Sequence, residues 1–259
     1  MLSRSYMGCI FNQGLAIGAR LCRVLGIISS QGFSQEYLAE FRNLAENGKV
    51  RRGARPGHKD GWGVVIYDGG TPNYLAREPK SASADPKYLE VSEKLAKVQG
   101  GILLAHLRKA TRNGGSPSVE NTHPFVSGRW AFAHNGGIRK FNIKPSGLKG
   151  ITDSERFFRL LLNRFGRDNS FDDALAWSVS FVRKNFDYSS LNFVLSDGNT
   201  VYAYRDCDED ENYYSMLYKR SKKEVVVSQE PLAGEGWRSI PNRNLAIIQK
   251  DLGIQIEPL

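Results

Sequence analysis

The chain alternates between short apolar runs and segments in which apolar residues recur every three or four positions. The short runs predict buried strands. These strands span residues 22–28, 63–67, 73–76, 102–107, 130–134, 191–195, 200–205, 213–218 and 224–227. Tight turns such as those at 68–70 and 197–199 join neighbouring strands, which predicts antiparallel pairing.

Helical spacing predicts four helices, each preceded by a side chain that can cap it. One spans 35–47 after Ser34, a second spans 86–98 after Asp85, a third follows Thr152, and a fourth runs from Ser170 to Val182. The helices fall in two groups between groups of strands, which favours antiparallel sheets with helices packed outside them. We therefore predict an α+β layered sandwich, with residues 22–259 as one domain because that region contains no repeat or linker.

The composition predicts a soluble globular protein. The 259 residues are 41% hydrophobic and 24% charged, and no apolar run approaches the ~20 residues that a membrane-spanning helix needs. The net charge of +9 is spread along the chain, and its densest basic run, 51–55, is short. Aromatic and basic residues do not interleave in a nucleic-acid recognition motif. A nucleic-acid-binding module therefore ranks last among the possible functions, and we expect neither a nucleic-acid nor a membrane partner.

The cysteines and histidines do not predict a metal site. Cys9, Cys22 and Cys207 have unrelated spacings, so neither a disulfide framework nor a zinc knuckle fits. The four histidines lack the paired spacing of recognised zinc sites. We expect no metal and no cofactor, and a reducing compartment, with the cytoplasm as the default.

Residues 1–21 differ from the sequence that follows, since they contain no acidic residue and only weak helical periodicity. Three interpretations stay open: a propeptide, an organellar transit peptide, or an upstream segment added by a mis-assigned start, with translation beginning at Leu21. Each makes this extension removable and places Cys22 at or next to the mature N-terminus. A transit peptide would make the protein organellar.

Three candidate positions lie at the ends of predicted strands or at the start of a predicted helix. Asn135 and Gly136 follow a strand, and the pair fits both a hairpin turn and an oxyanion hole built from a side-chain amide and a backbone N–H. Arg108 ends a buried strand and can serve in a salt bridge or bind a substrate carboxylate with its planar fork. Asp153 begins a helix, where an acid is favoured by the helix dipole whatever it binds.

Cys22 gains a chemical role if it is the first residue. A free α-amine has a pKa of about 7.7–8.0, so it can act as a general base for the thiol of its own residue. If residues 1–21 are retained, the amine is an amide and Cys22 is an ordinary buried cysteine.

Taken together, these segments resemble the class-II glutamine amidotransferases of the N-terminal nucleophile superfamily, and most of all the stand-alone, YafJ-type members. The resemblance covers almost all of residues 22–240. It is carried by CRVLG at 22–26, HKDGWG at 58–63, AHLRKAT at 105–111, ENTHPF at 120–125, FAHNG at 132–136, TDSE at 152–155, NFVLSDG at 192–198 and SQEPL at 228–232.

The resemblance implies a four-layer αββα sandwich of two antiparallel sheets. It further implies that Cys22 attacks the γ-amide carbonyl of glutamine and that water hydrolyses the resulting glutamyl thioester. The residues carried over are Asn135 and Gly136 for the oxyanion, Arg108 with Thr111 for the substrate α-carboxylate, and Asp153 for the α-ammonium.

The resulting hypothesis is a cysteine-dependent amidohydrolase or amidotransferase that acts on glutamine or a γ-glutamyl compound. Its relatives leave open a glutaminase, a hydrolase of larger γ-glutamyl substrates, or an enzyme that works with a separate ammonia-acceptor subunit. The alternative from another class is a catalytically silent protein that binds glutamine as a sensor or subunit.

Overall fold

The computed structural model describes residues 22–51, 54–68, 70–110 and 117–259. The predicted extension 1–21 and the predicted substrate-binding residue Thr111 lie outside this part of the chain. The helices in it are α1 (Gln35–Asn47), α2 (Pro86–Ala96), α3 (Asp153–Asp168) and α4 (Phe171–Asn185). The strands are β1 (Arg23–Ser29), β2 (Gly61–Asp68), β3 (Thr71–Glu78), β4 (Gly101–Arg108), β5 (Phe125–Ser127), β6 (Trp130–Asn135), β7 (Asn192–Ser196), β8 (Thr200–Arg205), β9 (Leu217–Arg220), β10 (Glu224–Ser228), β11 (Arg238–Ser239), β12 (Asn244–Gln249) and β13 (Ile254–Pro258).

The predicted capping residues precede all four helices, and three of them cap with their side chains. The Asp85 carboxylate accepts the Lys87 N–H, and the Thr152 and Ser170 hydroxyls accept the N–H groups three residues further on. Each of these bonds satisfies one of the backbone donors that a helix start leaves without a partner. Ser34 stands at the N-cap of α1, but its side chain makes no capping bond.

The strands form two antiparallel sheets. Sheet A has the order β11-β9-β10-β1-β4-β2-β3, and sheet B has the order β13-β12-β8-β7-β6-β5. In sheet A, β1 pairs with β4 so that Arg23 lies opposite Leu107. In sheet B, β6 pairs with β7 so that Asn135 lies opposite Asn192.

Three apolar layers hold the two sheets and the helices together. Successive side chains of a strand point to opposite faces of its sheet, so each strand contributes to two of these layers. The first packs sheet A against α1 and α2, the second packs the sheets against each other, and the third packs sheet B against α3 and α4. Examples from these layers, in this order, are Leu25, Phe41 and Trp62; Val24, Leu104 and Val194; and Phe132, Phe158 and Leu195. The layer order is helix, sheet, sheet, helix, which confirms the predicted αββα sandwich.

Two differences from the predicted elements lie in the last third of the chain. The predicted strand 213–218 pairs only from Leu217 onward, because the N–H groups of Tyr213 and Tyr214 both bond to the Asp210 carbonyl in a turn. Strands β11, β12 and β13 were not predicted. Of these, β12 pairs with the edge of β8, and β13 with β12, so sheet partners organise segments that carry a weak local signal.

No helix in the described part of the chain is both long enough and apolar enough to cross a membrane.

The two sheets approach closely at a glycine of β1, Gly26. A Cβ atom built on Gly26 would lie 2.8 Å from Cγ1 of Val194 in sheet B. Valine has a stiff χ1 torsion and is fully buried here, so it has little room to move aside. The absent side chain at residue 26 therefore allows the close approach of the two sheets at β1.

We expect Gly26→Ala to lower the free energy of unfolding by about 1–3 kcal/mol through overpacking between the sheets. Gly166→Ala is the matched control. It lies in α3, its Cβ would meet no atom within 4 Å, and it should raise the free energy of unfolding by about 0.5–1 kcal/mol. Urea unfolding of both variants measures the difference, and an undiminished free energy in Gly26→Ala would show that the sheets separate at no cost.

Candidate active site

Cys22 lies at the start of β1, where sheet A faces the end of a strand in sheet B. The residue is buried, with 2% of its surface exposed. Its backbone N–H donates to Oδ1 of Asn135 over 3.0 Å, and its Sγ lies 3.9 Å from the carbonyl oxygen of Lys109. The fold thus joins two of the predicted site residues that stand 113 positions apart in the sequence.

Asn135 ends β6 and presents one satisfied and one unsatisfied polar atom. Its Oδ1 accepts the Cys22 N–H, and this bond assigns the orientation of the amide. Within the described part of the chain its buried Nδ2 has no hydrogen-bond partner. A buried donor without a partner costs about 1–3 kcal/mol, so this group is better explained as a donor held ready for a ligand oxygen.

Gly136 follows Asn135 in a position that no larger residue fits. A Cβ atom here would lie 1.8 Å from the Ser190 carbonyl oxygen. The backbone beyond it is held by reciprocal bonds, since the Gly137 N–H donates to the Ser189 hydroxyl and the Ser189 N–H donates to the Gly137 carbonyl. These two bonds fix the backbone that directly follows Gly136.

Arg108 ends β4, the strand beside β1, and is buried. Its Nη1 donates to the Asp60 carbonyl over 3.3 Å. Asp60 in turn donates its N–H to the Arg108 carbonyl and accepts the Ala110 N–H on its carboxylate. The 58–63 segment therefore holds the end of β4, which brings the Arg108 guanidinium to the same end of the sandwich as Cys22.

Asp153 is the first residue of α3 and is buried. Its Oδ2 accepts the Ile138 N–H and its Oδ1 accepts the Ser154 N–H, both over 2.7 Å. The carboxylate thus fixes the backbone three residues after Asn135. The predicted site residues Cys22, Asn135, Gly136, Arg108 and Asp153 therefore lie at one end of the two sheets.

A layer of buried histidines lies beneath these residues. Nε2 of His106 lies 3.3 Å from the His134 carbonyl, and the rings of His106 and His123 are tilted by 32° with their centroids 4.1 Å apart. Nδ1 of His134 lies 2.9 Å from the Ser154 hydroxyl. Burial lowers the pKa of His106 well below its ordinary value, its bond to the His134 carbonyl opposes this shift, and the nearby charge of Arg108 adds to it. His106 is therefore neutral and donates from Nε2.

No set of three His, Cys, Asp or Glu side chains in the described ranges is arranged to hold a metal ion.

Sequence analysis missed a second set of polar residues around Cys22. Arg23 is fully buried and pairs with Glu230, while its Nη1 donates to the hydroxyl of Tyr213. A signal was present, since an arginine inside an apolar strand needs a buried partner. The partner could not be identified because Glu230 lies 207 positions away.

Comparison with known proteins finds sequence similarity to one family. A family model described as "Glutamine amidotransferases class-II" matches residues 21–220. The chain is 32% identical over 226 residues to the Escherichia coli protein named "Putative glutamine amidotransferase YafJ", covering 74% of this chain and 86% of that protein. It is 28% identical over 232 residues to the "Gamma-glutamyl-hercynylcysteine sulfoxide hydrolase" of Mycobacterium tuberculosis, covering 87% of this chain and 91% of that one.

Solved structures show the same fold at lower identity. A glutamine aminotransferase class-II domain protein from Silicibacter pomeroyi superposes with a TM-score of 0.63 at 22% identity, over 92% of this chain and 99% of that one. The glutamine phosphoribosylpyrophosphate amidotransferase of B. subtilis superposes with a TM-score of 0.64 at 20% identity, over 92% of this chain and 49% of that one.

The neutral state of His106 predicts a pH dependence of stability. Because its pKa is lower in the folded than in the unfolded chain, the unfolded chain binds the extra proton below about pH 6.5, and stability falls as the pH decreases. His106→Gln keeps a donor for the His134 carbonyl but cannot titrate. Its free energy of unfolding should fall less steeply between pH 7 and pH 5 than that of the wild type, by up to about 1.4 kcal/mol per pH unit.

Urea unfolding at several pH values measures this difference. The two proteins serve as their own control above pH 7.5, where their pH slopes should coincide. Parallel curves down to pH 5 would contradict a neutral, buried His106.

Proposed function

Since the chain belongs to the class-II glutamine amidotransferase family, and so is an enzyme of the glutamine amidotransferase and amidohydrolase type, we propose that it hydrolyses the γ-amide bond of glutamine or a γ-glutamyl compound with Cys22 as nucleophile. The observation that carries this proposal is the Cys22–Asn135 contact. It brings a thiol, a backbone nitrogen and an unused amide donor together at a buried site.

The active form in this proposal begins at Cys22, after loss of residues 1–21. The nitrogen that donates to Asn135 Oδ1 would then be the α-amine. An uncharged amine can donate one N–H to that oxygen and use its lone pair to accept the thiol proton, directly or through a water molecule. Its ordinary pKa of about 7.7–8.0 leaves a useful fraction uncharged at neutral pH.

The chemical step is an acyl transfer in two parts. The Cys22 thiolate adds to the γ-carbonyl carbon, and the oxyanion that forms accepts hydrogen bonds from Asn135 Nδ2 and the Gly136 N–H. The C–N bond then breaks as the α-ammonium returns its proton to the leaving nitrogen. Water, deprotonated by the same amine, attacks the thioester, and the glutamyl acid leaves with the Cys22 thiol restored.

The substrate's own charges give the remaining residues their roles. A γ-glutamyl group carries an α-carboxylate, which suits the planar fork of Arg108 together with Thr111. It also carries an α-ammonium, which suits Asp153. Both carboxylate oxygens of Asp153 already accept backbone N–H groups, so the carboxylate is held in a fixed orientation for this purpose.

We favour a hydrolase of γ-glutamyl compounds over a glutaminase that passes ammonia to a separate acceptor subunit. The relative from M. tuberculosis, which aligns with most of both chains, is named for hydrolysis of a γ-glutamyl compound. The choice of substrate distinguishes the two hypotheses. Release of an amine from γ-glutamyl amides supports the γ-glutamyl hydrolase, while turnover of glutamine alone supports the glutaminase that supplies ammonia.

The role of Cys22 as nucleophile can be tested directly. In a preparation whose intact mass shows Cys22 as the first residue, we expect turnover of glutamine or a γ-glutamyl amide, and a covalent adduct at Cys22 with an electrophilic glutamine analogue. Cys22→Ala should abolish both without unfolding the protein. Cys207→Ala, the matched control at a second buried cysteine of the described ranges, should retain turnover.

Two results would contradict this prediction. An active protein that retains Met1 would rule out the α-amine as base. The second result is a protein that begins at Cys22 and is stabilised thermally by glutamine, but neither hydrolyses a substrate nor forms the adduct. It would establish the silent binding protein instead.

The role of Asn135 as oxyanion donor can be tested by substitution. Asn135→Asp retains an oxygen for the Cys22 nitrogen but loses the Nδ2 donor. Because removal of one such donor costs about 10²–10³ in kcat in other acyl-transfer enzymes, we expect a fall of that size with little change in KM. Steady-state kinetics measure it, with Asn135→Ala to separate the lost donor from the added charge. A kcat close to wild type in both variants would exclude the role.

A further inference from the structure

Arg23 directly follows the proposed nucleophile and is a fully buried charged residue. Its guanidinium is 0% exposed. Its Nη1 donates to the Cys22 carbonyl over 2.8 Å and to the Tyr213 hydroxyl over 2.9 Å, and its Nε donates to Glu230 Oε1 over 2.5 Å. Its Nη2 donates to the Lys49 carbonyl over 2.5 Å. All three nitrogens of the guanidinium are therefore used.

Glu230 and Tyr213 keep this guanidinium in place. The Glu230 oxygen that accepts from Arg23 also accepts the Lys49 N–H over 2.8 Å, so the carboxylate joins β1 to the segment that follows α1. Burial raises the pKa of Tyr213, with Arg23 opposing the shift, so its hydroxyl stays protonated and accepts as a neutral group. The guanidinium carbon also lies 4.7 Å from the centre of the Tyr213 ring.

The two hydrogen bonds that fix the Cys22 backbone, with Asn135 and with Arg23, come from opposite sides of sheet A. Side chains alternate along β1, so that Val24 packs between the sheets and Leu25 packs against the helices. Cys22 shares the first face and meets Asn135 of sheet B, while Arg23 shares the second and reaches back to the Cys22 carbonyl. The residue is thus held at its nitrogen by one layer and at its carbonyl by another.

This double hold matters most for a chain that starts at Cys22. A terminal residue frays unless it is tied down, and a misplacement of about 1 Å at a reacting group can cost about 10²-fold in rate. A buried ion pair adds little net stability compared with apolar residues of the same size. The Arg23–Glu230 pair is therefore better explained by the position it enforces than by stability.

We propose that Arg23 is a positioning residue, which holds the Cys22 carbonyl so that the α-amine and thiol of the terminal residue keep their place opposite Asn135, with Glu230 and Tyr213 orienting its guanidinium. This inference rests on the proposed function. It assigns Arg23 no contact with substrate, because its guanidinium lies on the helix side of the sheet.

The test compares Arg23→Lys with wild type in preparations whose intact mass shows Cys22 as the first residue. Lysine keeps the charge but has a single donor head that cannot reproduce the fork. We expect kcat to fall about 10–100-fold, while KM for the substrate changes less than threefold, because Arg108 and Asp153 hold the substrate. Hydrogen exchange at the Val24 amide should also become faster, as the end of β1 loosens.

Arg205→Met is the matched control. Arg205 is another buried arginine with several donors, which bond to the carbonyls of Tyr214 and Ile240 and not to Cys22. We expect it to lower the melting temperature as much as Arg23→Lys does, or more, with kcat within threefold of wild type. An equal fall in kcat in both variants would show a general loss of stability and overturn the proposal.

A second variant guards against misfolding of the first. Arg23→Met combined with Glu230→Gln removes both charges, so no uncompensated charge stays buried. If this double variant folds and keeps wild-type kcat, Arg23 does not position the nucleophile. Wild-type protein that begins at Cys22 but shows no turnover would instead refute the proposed function. If the wild type is active and the Arg23 variants keep its kcat, only this inference is refuted.

Discussion

The site depends on one hydrogen bond, from the Cys22 nitrogen in sheet A to the Asn135 side chain in sheet B. It is one of the polar contacts between the two sheets, together with that of His106 and the His134 carbonyl, at the end of a largely apolar interface. Several of the polar groups around it hold the backbone of the two strands that carry Cys22 and Asn135. The absent side chain at Gly26 allows the close approach of the sheets, and the Gly136 backbone is fixed against Ser190.

The buried polar groups at this end form two supporting sets, one on each sheet. On sheet B, Asp153 and the Ser189–Gly137 pair hold the backbone that follows Asn135. On sheet A, Asp60 holds the end of β4, and Arg23 with its partners holds the start of β1. Buried polar groups are costly unless their partners are complete. Asn135 Nδ2 is one of the exceptions within the described residues, and the proposed function assigns it an oxyanion.

The chain belongs to the class-II glutamine amidotransferase family, and the acyl-transfer site proposed for it consists of few groups. They are a thiol, one side-chain amide and backbone segments that neighbouring hydrogen bonds hold in place, and preorganised donors of this kind stabilise developing charge. The buried rings of His106 and His123 pack against each other at this end of the sheets, and the neutral His106 adds no charge there.

Local patterns and the order of motifs along the chain were enough to predict the layered α+β fold, the four helix starts and the candidates Cys22, Asn135, Gly136, Arg108 and Asp153, because strand alternation and helix caps can be read from neighbouring residues. The folded structure was needed to show that these residues lie at one end of two sheets, that Arg23 and Glu230 form a pair, and that β12 and β13 complete sheet B. Contacts between residues more than a hundred positions apart depend on strand order and register, which are set by packing across the whole molecule.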